Sequence, residues 1–191
     1  DLQGKRIAII GDNCYQWASS YLAAVCGLGV AVPLDKELGA SELEQLVAEA
    51  DCECVLFTKK FLSIFQDIHE RGETNLRILV NLNGEEEKDG VLSWARLIDE
   101  GKQRIAEGDR TYLDAEIYAD EMGVLLFTSG TTGIAKGVML SHTNICSDLM
   151  SAPTMLYVDP TDIFFSVLPI HHTYECTCGF LMPLYKGASI G

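Results

Sequence analysis

Basic residues are scarce in this sequence: Lys and Arg number 14 against 28 Asp and Glu, for a formal net charge of -14 over 191 residues. So acidic a surface repels phosphate backbones and anionic headgroups, which recruit clustered Lys and Arg; nucleic acid is therefore excluded as a partner. No internal repeat or low-complexity tract occurs, and aromatic residues make up only 8%. The one stretch that could be mistaken for a membrane span, residues 17–34, contains no charged residue, but it is short for a span and is broken by Ser19, Ser20, Gly27, Gly29 and Pro33. A buried helix running into a buried strand accounts for it better. No basic start leads into an apolar segment and a small-residue cleavage site, so the seven cysteines are expected as reduced thiols and the chain as cytoplasmic.

What is present suits a folded core. Hydrophobic residues are 48% and charged residues 22%, which excludes wholesale disorder and small disulfide scaffolds. A chain of this length buries roughly 70% of the surface its unfolded form exposes, enough for one domain, or one plus a fragment. The sequence starts at Asp1 and stops just after Gly187-Ala188-Ser189-Ile190, which reads as the opening of another strand, so a piece of a longer protein is expected.

Strand and helix patterns alternate along it. Residues 5–10 form a short apolar run ended by Gly11 and read as a strand buried on both faces. Asn13 and Gln16 mark a helix start, with Trp17, Ala18, Tyr21, Leu22, Val25 and Leu28 at helical spacing behind them. Residues 30–34 read as a strand whose Pro33 indicates a strand end or an edge. Ser41 with Glu44 makes a capping-box pair ahead of Leu43, Leu46, Val47 and Ala50, and residues 54–57 are a third strand. The pattern then predicts a helix over 61–68, a strand over 76–82, an acidic turn over 83–90 and a helix over 94–106. Residues 99–121 carry eight acidic residues against three basic ones and read as a solvated connection. Strands at 123–127 and 138–140, a helix capped by Ser141 and reaching to about residue 150, a strand at 163–168 and a helix-compatible stretch at 174–185 complete the series. Such alternation implies an α/β fold, a layered and mostly parallel sheet with helices on both faces, whose ligands sit beyond the carboxyl ends of the strands.

One loop there stands apart. After the strand ending at Phe127 come Thr128-Ser129-Gly130-Thr131-Thr132-Gly133-Ile134-Ala135-Lys136-Gly137. Glycines let backbone N–H groups approach an anion closely, while hydroxyls and one Lys complete a phosphate cradle. Residues 122–147 contain no Asp or Glu, an acid-free stretch in an acidic chain. The loop is not a Walker P-loop, because Lys136 is followed by Gly137 and a strand rather than by Ser or Thr and a helix. Gly11 has no G-x-G-x-x-G context and reads as a plain strand-ending turn.

The segment from Leu125 to Val138, with Ser141-His142-Thr143-Asn144 behind it, resembles the phosphate-loop signature of the adenylate-forming (AMP-binding) superfamily. That superfamily comprises acyl-CoA synthetases, luciferases and the adenylation domains of peptide synthetases. Ala135 stands where the family usually has proline. Gly4 and the segments Ile7-Ala8-Ile9-Ile10-Gly11-Asp12-Asn13 and Val32-Pro33-Leu34-Asp35 look like the opening of the family's large N-terminal domain. Leu168-Pro169-Ile170-His171-His172-Thr173-Tyr174-Glu175 looks like its acyl-pocket histidine motif, in a form closest to long-chain fatty acyl-CoA synthetases.

The resemblance implies that residues 1–191 are part of that N-terminal domain, with its C-terminal part and the small C-terminal domain absent. It implies ATP-dependent activation of a carboxylic acid, a long-chain fatty acid, through an acyl-adenylate to an acyl-CoA thioester, using ATP, Mg²⁺ and coenzyme A. Thr128, Ser129, Gly130, Thr131, Thr132, Gly133 and Lys136 would hold the β- and γ-phosphates. Lys136 would add charge as pyrophosphate leaves, and His172 would orient the substrate carboxylate, which makes these two the catalytic candidates; His171 has no assigned role. Two alternatives stay open: activation of an aryl, medium-chain or amino acid for a carrier protein, or a non-catalytic nucleotide-binding module. In the family the ribose-binding Asp, the Mg²⁺-binding Glu, the hinge and the C-terminal Lys all follow the phosphate loop, so these 191 residues alone are expected not to turn over. His171, His172, Cys176 and Cys178, with Cys52 and Cys54, offer zinc-ligand types. The spacing is wrong for zinc, and both thiols of a Cys-x-Cys on a strand are expected on one core face; no metal site is expected.

Overall fold

In the computed structural model, which describes residues 2–128 and 135–191, strands and helices alternate from the start. β1 (Lys5–Ile10) leads into α1 (Tyr15–Ala23) and a π-helical turn (Ala24–Leu28), then β2 (Gly29–Pro33), α2 (Ala40–Glu49) and β3 (Cys52–Phe57). A 3-10 turn (Lys59–Phe61) and α3 (Leu62–Arg71) follow, then β4 (Ile78–Asn81), β5 (Val91–Ser93) and α4 (Trp94–Ala106). β6 (Met122–Thr128), β7 (Lys136–Ser141) and α5 (His142–Met155) come next, and β8 (Ile163–Phe164), a second π-helix (Glu175–Leu181), α6 (Met182–Lys186) and β9 (Ser189–Ile190) end the series.

Seven strands form one sheet in the order β5-β4-β3-β1-β2-β6-β7. All its pairings are parallel except that of β7 with β6, so the expected α/β layered sheet is what the chain builds. Each central strand buries both faces. Ala8, Ile10, Val32, Leu34, Val55, Phe57 and Leu125 pack with Leu43, Leu46 and Val47 of α2 and Phe65 and Ile68 of α3. Ile7, Ile9, Ala31, Leu56, Val80 and Val124 pack on the other side against Trp17 and Tyr21 of α1, Phe180 and Leu181 of the second π-helix, and residues of α4 and α5. Buried on both sides, these strands read as continuous apolar runs rather than alternating ones.

Several local expectations change. α1 begins at Tyr15 behind Cys14, with no side-chain cap; Asn13 is engaged elsewhere. α2 begins one residue before the predicted cap Ser41, at Ala40, capped from Gly39, whose N–H donates to Glu42 Oε2 at 3.0 Å. Ser141 does cap α5, accepting from the Asn144 N–H, and the helix runs on to Met155. β5, placed directly behind the acidic turn, is too short to show a period. The strand expected over 163–168 shrinks to two residues that pair with β9 outside the main sheet.

Cys52 and Cys54 do not share a face. Cys52 packs in the α2–α3 layer and Cys54 in the α1 layer. The register against β1 shows why: Arg6 pairs with Cys52 and Ile7 with Cys54, so Glu53 is an extra residue in a bulge, and one inserted residue inverts the in–out alternation.

Candidate functional site

Pro33 opens the site. In a parallel ladder successive residues turn their backbone groups to opposite neighbours, and the Leu34 N–H bonds the Ile9 carbonyl on the β1 side. Position 33 therefore faces β6, where proline has no N–H to give. β2 keeps a single registered pair with β6, Ala31 with Val124, and beyond it the two strands part at their carboxyl ends. Pro33 thus marks a strand end inside the sheet, and the expectation of an edge is corrected. Between the parted strands lies a cleft of about 550 Å³, with Pro33, Leu34 and Asp35 on one wall and Leu126, Phe127, Thr128 and Ala135 on the other. α2 closes one end with Glu42, and His171, His172 and Thr173 form a further rim.

Of the phosphate-loop candidates, Ser129, Gly130, Thr131, Thr132 and Gly133 lie outside the described residues. The two that flank them are placed. Thr128, the last residue of β6, pairs in register with Lys136, the first of β7, and its hydroxyl reaches the Lys136 carbonyl at 3.5 Å. Thr128 lines the cleft; Lys136 follows Ala135 on the rim, exposed, with no ion pair among the described residues. The acid-free run does form one wall. The facing wall carries carboxylates, Asp35 and Glu42, which the linear charge pattern did not reveal.

The two histidines differ. His171 sits with its side chain 14% exposed, its Nε2 3.4 Å from Asp35 Oδ1 and its Nδ1 buried without a hydrogen-bond partner. Burial pushes its imidazole below the ordinary pKa, and the Asp35 carboxylate pulls only partly back. His172 is exposed at the rim; its Nδ1 accepts the Tyr174 N–H at 3.3 Å, so the neutral ring carries its proton on Nε2. Behind His171 a small apolar gap of about 30 Å³ opens between Tyr21, Leu126, Leu140, Ile145, Cys176 and Leu181. The structure thus brings Thr128, His171 and His172 to one cleft. Among the described residues no three His, Cys, Asp or Glu gather as a metal site.

Three polar residues behind this site join in a contact that the sequence pattern does not reveal, since Asn13 reads there as a helix start and Glu175 only as part of the histidine motif. Asn13 Nδ2 donates to Ser166 Oγ at 2.9 Å and to the Leu168 carbonyl at 2.7 Å, and Asn13 Oδ1 accepts the Ile170 N–H at 3.0 Å. Ser166 Oγ in turn donates to Glu175 Oε1 at 2.7 Å, and Glu175 is buried. Asn13 and Ser166 are 153 residues apart, and no local signal joins them.

The family model described as AMP-binding enzyme matches residues 2–191. A "CoA ligase" of Gibberella moniliformis is 27% identical over 99% of this chain and 29% of its own length. "Fatty acyl-CoA synthetase A" of Dictyostelium discoideum is 30% identical over 99% of this chain and 28% of its own. Among solved structures, ATP-bound MatB from Rhodopseudomonas palustris superposes with a TM-score of 0.73 at 25% identity, covering 98% of this chain and 35% of that one. The chain therefore spans about a third or less of the length of these three proteins.

Proposed function

Since this chain belongs to the AMP-binding enzyme family, we propose that the intact protein joins a carboxylic acid, a long-chain fatty acid, to coenzyme A by way of an acyl-adenylate formed from ATP. Residues 1–191 are then part of the large N-terminal AMP-binding domain, with the rest of the catalytic machinery carried by further sequence. The observation that supports this most is the meeting of the two flanks of the glycine- and hydroxyl-rich loop, Thr128 and Lys136, beside a cleft whose rim is His171 and His172. The acyl class rests on the Tyr174 and Glu175 that follow the histidines and on similarity to the Dictyostelium fatty acyl-CoA synthetase. All seven cysteines are free thiols, in keeping with a cytoplasmic protein. No described helix is long and apolar enough to cross a membrane.

Adenylation brings a carboxylate against the α-phosphorus of ATP, so two anions must be held together. The hydroxyl of Thr128, the loop behind it and the Lys136 ammonium would hold the β- and γ-phosphates and offset the charge that grows on departing pyrophosphate. His172, with Nε2–H free to donate, would fix one oxygen of the acid's carboxylate so that the other attacks. In the second half-reaction the thiol of coenzyme A takes the acyl group and AMP leaves. Mg²⁺, implied by the family, would neutralise phosphate charge. The described residues do not by themselves form a site for it, since no three ligands gather.

The test is Lys136→Ala in the intact protein, read by ATP–pyrophosphate exchange. Loss of one preorganised charge at the leaving group is expected to slow exchange by roughly 10²–10³-fold, the range typical for such groups. Exchange at the parent rate would overturn the phosphate-loop assignment.

A further inference from the structure

The segment that carries the histidines is not held by regular secondary structure. Between β8 and the second π-helix, residues 165–174 have no ladder to the main sheet, yet their backbone must be fixed if His171 and His172 are to stand at the cleft. Asn13 supplies that hold from the loop after β1. Its carboxamide meets a backbone acceptor, the Leu168 carbonyl, with Nδ2 and a backbone donor, the Ile170 N–H, with Oδ1. Neither backbone group can exchange roles, so the amide's orientation is dictated by its partners. Aspartate would set an anionic oxygen against the Leu168 carbonyl, and an apolar residue would leave both groups unpaired.

The second Nδ2 proton continues the chain of donors. It goes to Ser166 Oγ, whose own proton goes to the buried Glu175 carboxylate. Glu175 begins the second π-helix, and its carboxyl group packs over Gly179, where an added Cβ would lie 2.5 Å from it. The histidines are thus bracketed. Asn13 holds the residues just before them, Glu175 ties down the helix just after them, and Ser166 joins the two.

On the adenylation reading given above, we propose that Asn13 is a positioning residue for that reaction, acting with Ser166 and Glu175 as a hydrogen-bonded clamp that sets His172 against the substrate carboxylate. Asn13 touches no reacting atom; its contribution is made through His172.

The experiment uses the intact protein with Asn13→Ala, with Ser166→Ala and Ser166→Thr, and with Asn13→Ala in a His172→Ala background. Amide hydrogen exchange over residues 166–172 and the kinetics of ATP–pyrophosphate exchange are read on each. In Asn13→Ala the segment exchanges about tenfold faster or more while β1 to β3 keep their protection, as expected when a local hold is lost without global unfolding. Its kcat falls roughly tenfold or more, KM for ATP stays within about twofold, and the kcat loss vanishes when His172 is already Ala, because residues acting through one another are not additive. Should Asn13→Ala fail to fold, Ser166→Ala carries the same test in milder form, with Ser166→Thr, which keeps the hydroxyl, restoring both readouts. Unchanged exchange over residues 166–172 overturns the clamp, and so does a kcat loss of equal size in both His172 backgrounds, which marks a merely structural role. Failure of the adenylation reading is distinguishable, because the parent protein then shows no ATP–pyrophosphate exchange at all, while protection of residues 166–172 in Asn13→Ala still decides the clamp.

Discussion

Burial sets the protonation of His171. Desolvation lowers its pKa from the ordinary value of 6.5; Asp35 and Glu37 oppose this, His172 and Lys36 add to it, and the net shift is downward. The folded protein thus prefers the neutral ring, whereas the unfolded chain takes up the proton as soon as pH falls through about 6.5. Stability present above that pH is lost as pH drops towards the folded-state value. Urea denaturation midpoints of the intact protein are expected to fall between pH 7 and pH 5, and His171→Asn is expected to flatten that fall. A variant whose midpoints decline as steeply as the parent's in this window would show that the ring is not held neutral. Asp12, Glu53 and Asp159, whose carboxyl groups are held below the usual range by Lys36, by Lys5 and Arg77, and by Thr161 respectively, lose their contribution only at lower pH. Which of two adjacent histidines is buried was not legible in the sequence, because His-His has no local asymmetry; the difference comes from packing, His171 lining an apolar gap with Tyr21, Leu126 and Leu140 while His172 stands exposed at the rim.

Among the elements, those whose determinants are local were the readable ones. β1, β3 and α4 follow from their own residue patterns, and in the structure the Ser93 hydroxyl accepts the Arg96 N–H at the start of α4. α5 follows from Ser141, which exchanges hydrogen bonds with Asn144 at 3.0 and 3.2 Å. Ser141→Ala leaves orphan N–H groups at the start of α5 and is expected to cost about 1 kcal/mol, the usual worth of an N-cap, measurable by urea denaturation; no loss would mean that the cap is satisfied otherwise. The bulge at Glu53, the short β5 and the true length of β8 were not readable. A bulge is set by how β3 meets β1, and strands of two or three residues carry no period to detect. Pro33 was half legible: its missing N–H announced an interrupted ladder, but only the neighbour on that side, β6, made the interruption a cleft.

At the scale of the whole molecule the exposed apolar side chains are unevenly spread. Met139, Met155, Tyr157, Ile163, Phe165 and Val167 are between 65% and 92% exposed, and all lie in the last third of the chain, while the large apolar side chains of residues 5–82, Tyr15 at 76% apart, pack into layers on both sheet faces. The chain spans 29% of the length of the Gibberella ligase and 35% of the MatB chain. These 191 residues on their own are therefore expected to give no pyrophosphate from ATP and a fatty acid, as read by a coupled phosphate assay; release above background would show that the site is self-sufficient.

The sequence by itself determined the α/β class, the run of elements and the family, because periodicity, caps and the glycine- and hydroxyl-rich loop act between residues close in the chain. Tertiary structure decided the rest. Sheet order set β2 beside β6 and opened the cleft at Pro33; it brought Asp35 to His171 and Asn13 to residues 166–170. Those contacts depend on which strands become neighbours, and that is fixed by burying both faces of one sheet at once, a property of the whole chain that no short window of residues contains.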